Sequence, residues 1–171
     1  IIPVKDRADE LEDCLKSVID QDYPKEKIEI IVVDDGSKDE TVEVASRFTC
    51  KILTNAHTRG QSFCRNMAAR EAKGEVLAFI DSDCVASSTW LRQIVPCFQW
   101  ERVGAAGGYV DGYFERSALD RYEKACSSLN MGKHIMYSSD NRSTFYLPTC
   151  NLLVRKSIYL EAGGINESLY V

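Results

Sequence analysis

The chain has 171 residues, a formal charge of −5 (21 Lys and Arg against 26 Asp and Glu) and 44% hydrophobic residues. That is one domain with mass enough for a sizeable core, and its scattered basic residues leave no positive footprint for a nucleic-acid partner. No run approaches the roughly 18 apolar residues that a membrane-spanning helix needs.

In chain order, the first half alternates strand and helix. After an opening strand at Ile1-Ile2-Pro3-Val4, Leu11, Cys14, Leu15, Val18 and Ile19 recur at helical spacing, and Tyr23-Pro24 closes that helix. Ile28–Val33 reads as the second strand. Ser37 and Asp39 can cap a helix through about Phe48, with Val44 and Phe48 on its inner face. A third strand follows over Cys50–Leu53. Gly60 then leads into a helix through Ala72 with Phe63, Cys64, Met67 and Ala68 in one stripe, and Val76–Ile80 is the fourth strand. This alternation predicts an α/β fold, a parallel sheet of βαβ units with right-handed crossovers.

The second half is less regular. Leu91, Ile94, Val95 and Phe98 fit a helix face that Pro96 should shorten. Val103–Tyr113 reads as a strand interrupted by Gly107-Gly108, a bulge or a close backbone approach. Residues 117–131 look helical and 138–144 form a polar loop. Leu152–Val154 is a last short strand, and Arg155–Glu161 a helix closed by Gly163-Gly164. There is no repeat or low-complexity segment.

The seven cysteines (14, 50, 64, 84, 97, 126 and 150) include no Cys-x-x-Cys pair, so they read as buried, reduced thiols rather than a zinc or redox centre. His57 and His134 stand outside any metal-ligand spacing and read as structural or exposed. Glycosylation triplets at Asn141 and Asn166 are discounted without a secretion signal. The chain opens without Met inside a strand and stops at Leu169-Tyr170-Val171, so it reads as an excerpt truncated at both ends.

The chemistry concentrates where apolar runs end in acids. Ile30-Ile31-Val32-Val33 runs into Asp34-Asp35-Gly36-Ser37, and Val76–Ile80 into Asp81-Ser82-Asp83. Both would lie at the carboxyl ends of strands, where open α/β sheets bind ligands. Residues i and i+2 of an extended segment point to one side. Asp81 and Asp83 can then share a divalent cation, since Mg²⁺ and Mn²⁺ bind through one or two carboxylates plus substrate phosphates. On spacing alone a capping role for Asp83 is as good. Asp35 can accept hydrogen bonds from a base or ribose, or the pair can form an Asx turn. Arg65 has the planar fork for a nucleotide, though a helical Arg is more often a solvated group.

The order of these pieces decides between the readings. Pro3-Val4-Lys5-Asp6 followed by Val32 to Thr41, then Gly60 to Cys84 with Arg65-Asn66, Ala72-Lys73-Gly74-Glu75 and Phe79 to Asp83, resembles family 2 glycosyltransferases of the GT-A fold. Cys150-Asn151, Arg155-Lys156 and Gly163-Gly164-Ile165-Asn166-Glu167 are similar to that family's acceptor-side segment. The resemblance implies a Rossmann-like, mixed but mostly parallel sheet flanked by helices in a single domain, with a nucleotide-binding half at 1–84 and an acceptor-side half at 85–171. It implies inverting transfer of a sugar from a nucleotide-diphospho-sugar to a hydroxyl of a saccharide, lipid or protein, as in polysaccharide biosynthesis. Pro3 and Asp35 would then line the base and ribose pocket, Arg65 would contact the base, and Ser82 would lie near ribose and diphosphate. Asp81 would contact ribose or metal, Asp83 would hold Mn²⁺ or Mg²⁺, and Asn151 and Glu167 would stand on the acceptor side. Asp6 and Asn166 depart from the family's frequent Asn and Asp, and its usual Glu-Asp pair, source of the catalytic base, would fall beyond Val171. The implied location is cytoplasmic, or at the cytoplasmic face of a membrane through segments outside this chain. A non-catalytic sugar-nucleotide-binding module and, remotely, a signalling receiver domain are the competing classes.

Overall fold

The structure is a computed structural model that describes residues 1–113, 117–126, 129 and 147–168. The polar loop expected over 138–144, the end of the helix expected over 117–131, Asn141 and His134 lie outside these residues.

Strands β1 (Ile2–Val4), β2 (Ile31–Asp34) and β3 (Lys51–Thr54) pair in parallel in the order β1-β2-β3. Every residue of β2 is buried, which is why its run is continuously apolar until its last position. Helices α1 (Ala8–Ile19) and α2 (Thr41–Ser46) make the two crossovers, and α3 (Gln61–Glu71) leads to β4 (Val76–Phe79). The Ile1 nitrogen donates to the Ala78 carbonyl at 2.8 Å and Ile80 N–H to the Ile1 carbonyl at 3.2 Å, so β4 runs beside β1. The parallel alternation therefore holds through β4.

Beyond it the sheet turns antiparallel. Helix α4 (Trp90–Ile94) stops one residue before a 3-10 turn over Val95–Gln99, because Pro96 has no N–H to continue the ladder. The strand expected over 103–113 contracts to β5 (Ala105–Gly107). A Cβ on Gly107 would lie 2.6 Å from Leu147 and 2.8 Å from the Asn151 carbonyl, and one on Gly108 2.7 Å from Asn151 Nδ2. The two glycines thus mark a close backbone approach. Helix α5 (Ala118–Cys126) follows, then β6 (Leu152–Arg155) and α6 (Lys156–Glu161). β6 lies between β4 and β5, antiparallel to both.

The core has a layer on each face of the sheet. Val32 joins Ile2, Val4, the α1 stripe and Trp90, Leu91, Ile94 and Phe98, whereas Ile31 and Val33 join Cys64, Ala68, Ala69, Leu77, Phe79 and Tyr159. This is the period-2 alternation of a strand with both faces covered. Among the described residues no helix is long and apolar enough to cross a membrane.

Candidate functional site

β1, β2 and β4 end at one rim, carrying Asp6, Asp34-Asp35 and Asp81 there. The two acids of the first pair divide the work. Asp34 forms the Asx turn: its carboxylate accepts from Gly36 N–H at 3.3 Å and from Ser37 N–H at 3.1 Å, while Gly36 takes φ +79°. Asp35 instead clamps the loop before α3. Its carboxylate accepts from Asn55 Nδ2 at 2.8 Å, from Arg59 N–H at 2.9 and 3.1 Å, and from Gly60 N–H at 2.8 Å. Burial alone would raise the Asp35 pKa, but the donors from Asn55, Arg59, Gly60 and Cys64 outweigh it and hold the carboxyl below its ordinary value. Pro3 is buried within β1, next to Val33 of β2.

β4 ends at Phe79, and residues 81–84 form a turn closed by Cys84 N–H donating to the Asp81 carbonyl at 3.0 Å. The strand alternation expected to aim Asp81 and Asp83 to one side therefore does not reach them. Each carboxylate faces its own arginine. Asp81 pairs with Arg65 Nη2, whereas Asp83 stands 3.6 Å from Arg7 Nη1 at a half-exposed surface. Neither Asp83 oxygen caps a backbone N–H of the turn. Ser82 between them is buried. Beneath the turn the Cys14 thiol, pushed up to about 12 chiefly by burial, keeps its proton and donates to the Asp81 carbonyl at 3.5 Å.

Arg65 corrects a sequence expectation. Alone on a helix it reads as a solvated group, yet it is only 3% exposed, because α3 is covered on more than one side. Its Nη2 also donates to Gln61 Oε1 at 3.0 Å, and its Nε is, among the described residues, the one buried side-chain polar atom without a hydrogen-bond partner. A buried donor without an acceptor is unfavourable by about 1–3 kcal/mol, which marks a place where a ligand acceptor would be stabilising.

The two residues expected on the acceptor side are both anchored. Asn151 is buried, accepts from Trp90 Nε1 at 2.8 Å and donates to the Tyr109 carbonyl at 3.1 Å. Glu167 is exposed and takes a 2.9 Å hydrogen bond from Asn66 Nδ2. Sequence reasoning missed Asn66 and Trp90 as anchors. Ala68, Ala69 and Ala72 were the available signal, since small residues let a helix pack closely on several sides and any polar neighbour must then be paired. His57 is exposed. Two surface clefts, of about 400 Å³ beside Lys73, Glu75 and Lys156 and about 560 Å³ beside Tyr23, Pro24 and Arg92, share none of these residues.

As hard oxygen donors with one half-exposed member, Asp81 and Asp83 suit Mg²⁺ or Mn²⁺ completed by substrate phosphate oxygens. Among the described residues no cluster of three His, Cys, Asp or Glu forms a self-sufficient metal cage.

Parallel strands β1-β2-β3, with β4 hydrogen-bonded alongside at Ile1, and the antiparallel β4-β6-β5 set beyond them form a GT-A fold. The chain belongs to glycosyl transferase family 2, whose model matches residues 1–162. It is 34% identical to glycosyltransferase AglE of Haloferax volcanii across 99% of this chain and 56% of that protein. It is 25% identical to a pre-mycofactocin glycosyltransferase of Mycobacterium tuberculosis across 99% of this chain and 36% of the relative. The chain thus spans about half the length, or less, of these relatives. Among solved structures, TarS of Staphylococcus aureus superposes with a TM-score of 0.78 at 21% identity, covering 99% of this chain and 50% of the other. A Pyrobaculum calidifontis mannosyltransferase in complex with GDP-Man and Mn²⁺ gives 0.73 at 21% identity, over 98% and 47%. Family membership sets the receiver-domain reading aside.

Proposed function

We propose that this chain is the donor-binding core of a glycosyltransferase that moves a sugar, with inversion, from a nucleotide-diphospho-sugar to an acceptor hydroxyl. The observation that carries the reading is the buried Arg65–Asp81 pair with its unsatisfied Nε, set at the strand rim beside the Asp35 clamp. Residues 1–84 would hold the nucleotide and 85–171 the acceptor. Support from relatives is of the same kind: TarS has been solved with UDP-GlcNAc and the Pyrobaculum enzyme with GDP-Man and Mn²⁺.

In this mechanism Asp35 fixes the loop over 55–60 at the β2 end, and this loop and Pro3 line the pocket for the base. Arg65 presents its Nε–H to a carbonyl of the base and orients Asp81 through Nη2. Ser82 stands near the ribose and diphosphate. Asp83, with Asp81, would hold Mn²⁺ or Mg²⁺, whose charge stabilises the departing diphosphate. The acceptor oxygen forms its bond to the anomeric carbon from the face opposite the diphosphate, and the bond to the phosphate oxygen breaks. A general base, to which no residue of this chain is assigned, takes the acceptor proton. Asn151 and Glu167 stand on the acceptor side of the attack.

The test is titration calorimetry of the full-length protein with UDP, GDP and dTDP, in Mn²⁺ and then in EDTA, alongside Asp83→Ala. Metal-dependent binding of one nucleotide, lost in the variant, is the expected result. Absence of binding by a sample that still melts cooperatively would refute the reading. Binding without any transfer to saccharide, polyprenyl-phosphate or peptide acceptors would reduce the protein to a sugar-nucleotide-binding module.

A further inference from the structure

Asn66 stands next to Arg65 on α3 and faces the opposite partner. It is 3% exposed, and its amide makes four hydrogen bonds. Nδ2 donates to the Ile165 carbonyl at 2.8 Å and to Glu167 Oε1 at 2.9 Å; Oδ1 accepts from Tyr159 Oη at 2.6 Å and from Ile165 N–H at 2.9 Å. That is the full donor capacity and both lone pairs of one amide. The contact is close enough to exclude a side chain opposite. Gly164 has φ +79°, and a Cβ there would lie 2.4 Å from Asn66 Oδ1. Tyr159, the third member, packs its ring 5.3 Å from that of Phe79, two residues before Asp81.

Helix α3 therefore grips two things with adjacent side chains: the acidic turn through Arg65 and the Gly164–Glu167 segment through Asn66. We infer that Asn66 is a positioning residue for sugar transfer, holding the acceptor-side segment at a fixed spacing from the donor carboxylate Asp81. The inference rests on the glycosyltransferase reading above. It adds a residue whose effect falls on turnover rather than on donor binding. Asn66 touches neither donor nor acceptor in this role; it acts through Ile165 and Glu167. Loosening the segment leaves the Arg65–Asp81 pair and the Asp35 clamp in place, but lets the acceptor-side groups drift from the line of attack, where a displacement of about 1 Å costs on the order of 10²-fold in rate.

Asn66→Asp is the direct test. The new carboxylate keeps both acceptor contacts but loses both donations, and sets a negative oxygen against Glu167 and the Ile165 carbonyl. Adding Glu167→Gln returns an amide donor to the pair. The full-length protein would be assayed in Mn²⁺ for release of nucleoside diphosphate from UDP-GlcNAc and GDP-mannose with saccharide, polyprenyl-phosphate and peptide acceptors. Asn66→Asp should lower kcat about tenfold or more with donor KM within about twofold, and the double variant should recover kcat at least about threefold. An unchanged kcat or a parallel loss of donor affinity would overturn the inference. If Asn66→Asp melts too low to assay, Tyr159→Phe removes only the 2.6 Å donation to Oδ1. It should lower kcat about threefold at constant donor KM, and unchanged kcat there overturns the inference equally. Wild-type protein that binds no nucleotide refutes the glycosyltransferase reading itself, and the inference with it, whatever the variants do.

Discussion

Replacing Asp35 with Asn isolates the clamp at the β2 end. Every partner of the Asp35 carboxylate is a donor: the Asn55 amide, the Arg59 and Gly60 N–H groups and the Cys64 thiol. An Asn keeps one acceptor oxygen and sets an NH₂ against donors whichever way its amide turns. The loss is about two hydrogen bonds to a charged acceptor, each about 1.5–3 kcal/mol, partly offset by relaxation of an exposed loop, so about 3 kcal/mol overall. For a chain of this size that is roughly 6–12 °C in Tm. Asp34→Asn is the control, equally buried and one residue away. Its carboxylate serves only the Asx turn, which Asn makes as well, and about 1 kcal/mol or less is expected. Equilibrium urea unfolding of both variants reads the difference. pH supplies a second arm. The Asp35 pKa is lowered in the folded chain, so between the folded and unfolded values the unfolded state binds more protons. Its contribution is complete above the ordinary carboxylate pKa of about 4 and is lost as pH falls through the folded value. The gap between wild type and Asp35→Asn should narrow over that same fall. Equal costs for the two variants, or a gap constant with pH, would refute the clamp.

Arg65→Lys keeps a cation beside Asp81 but removes the Nε–H and the planar fork, and should weaken nucleotide binding about tenfold, or about 1.4 kcal/mol, in calorimetry. Gly164→Ala meets both a left-handed φ and the Asn66 amide, and should cost about 3 kcal/mol by urea unfolding. Gly163→Ala shares the φ (+84°) with open space around it, and should cost only about 1–2 kcal/mol. Phe79→Ala removes a fully buried ring and its contact with Tyr159, for about 3–5 kcal/mol.

The sequence carried the first half of the fold well because its signals are local. The apolar run of β2 ends in two acids, the α1 stripe recurs at 3.6-residue spacing, and both features persist in the folded chain. What it could not carry were contacts across long separations. Asn66 and Glu167 are 101 residues apart and Trp90 and Asn151 are 61 apart; no periodicity encodes such pairings. Burial of Arg65 was illegible for the same reason, since the cover over α3 comes partly from Tyr159 and Ile165 at the far end of the chain. The strand expected over 103–113 contracts to three residues where Gly107 and Gly108 lie against Leu147 and Asn151. Family resemblance bridged part of this gap by naming positions, without the geometry that tells a contacting residue from a supporting one.

Exposure separates the two carboxylates of the acidic turn. In the Arg65–Asp81 pair the side chains are 4% and 27% exposed, whereas Arg7 and Asp83 are 47% and 48% exposed at a separation of 3.6 Å. An exposed pair of that kind contributes about 0–1 kcal/mol and is screened by salt. Breaking a buried pair is several times costlier, because the stranded charge stays out of water. The Arg7 contact is therefore the weaker of the two, and Asp83 the carboxylate more easily released. Asp81 stays where Arg65 holds it. A turn built this way keeps one acid fixed and leaves the other adjustable. Raising ionic strength should then loosen Asp83 from Arg7 while leaving the Asp81–Arg65 pair intact.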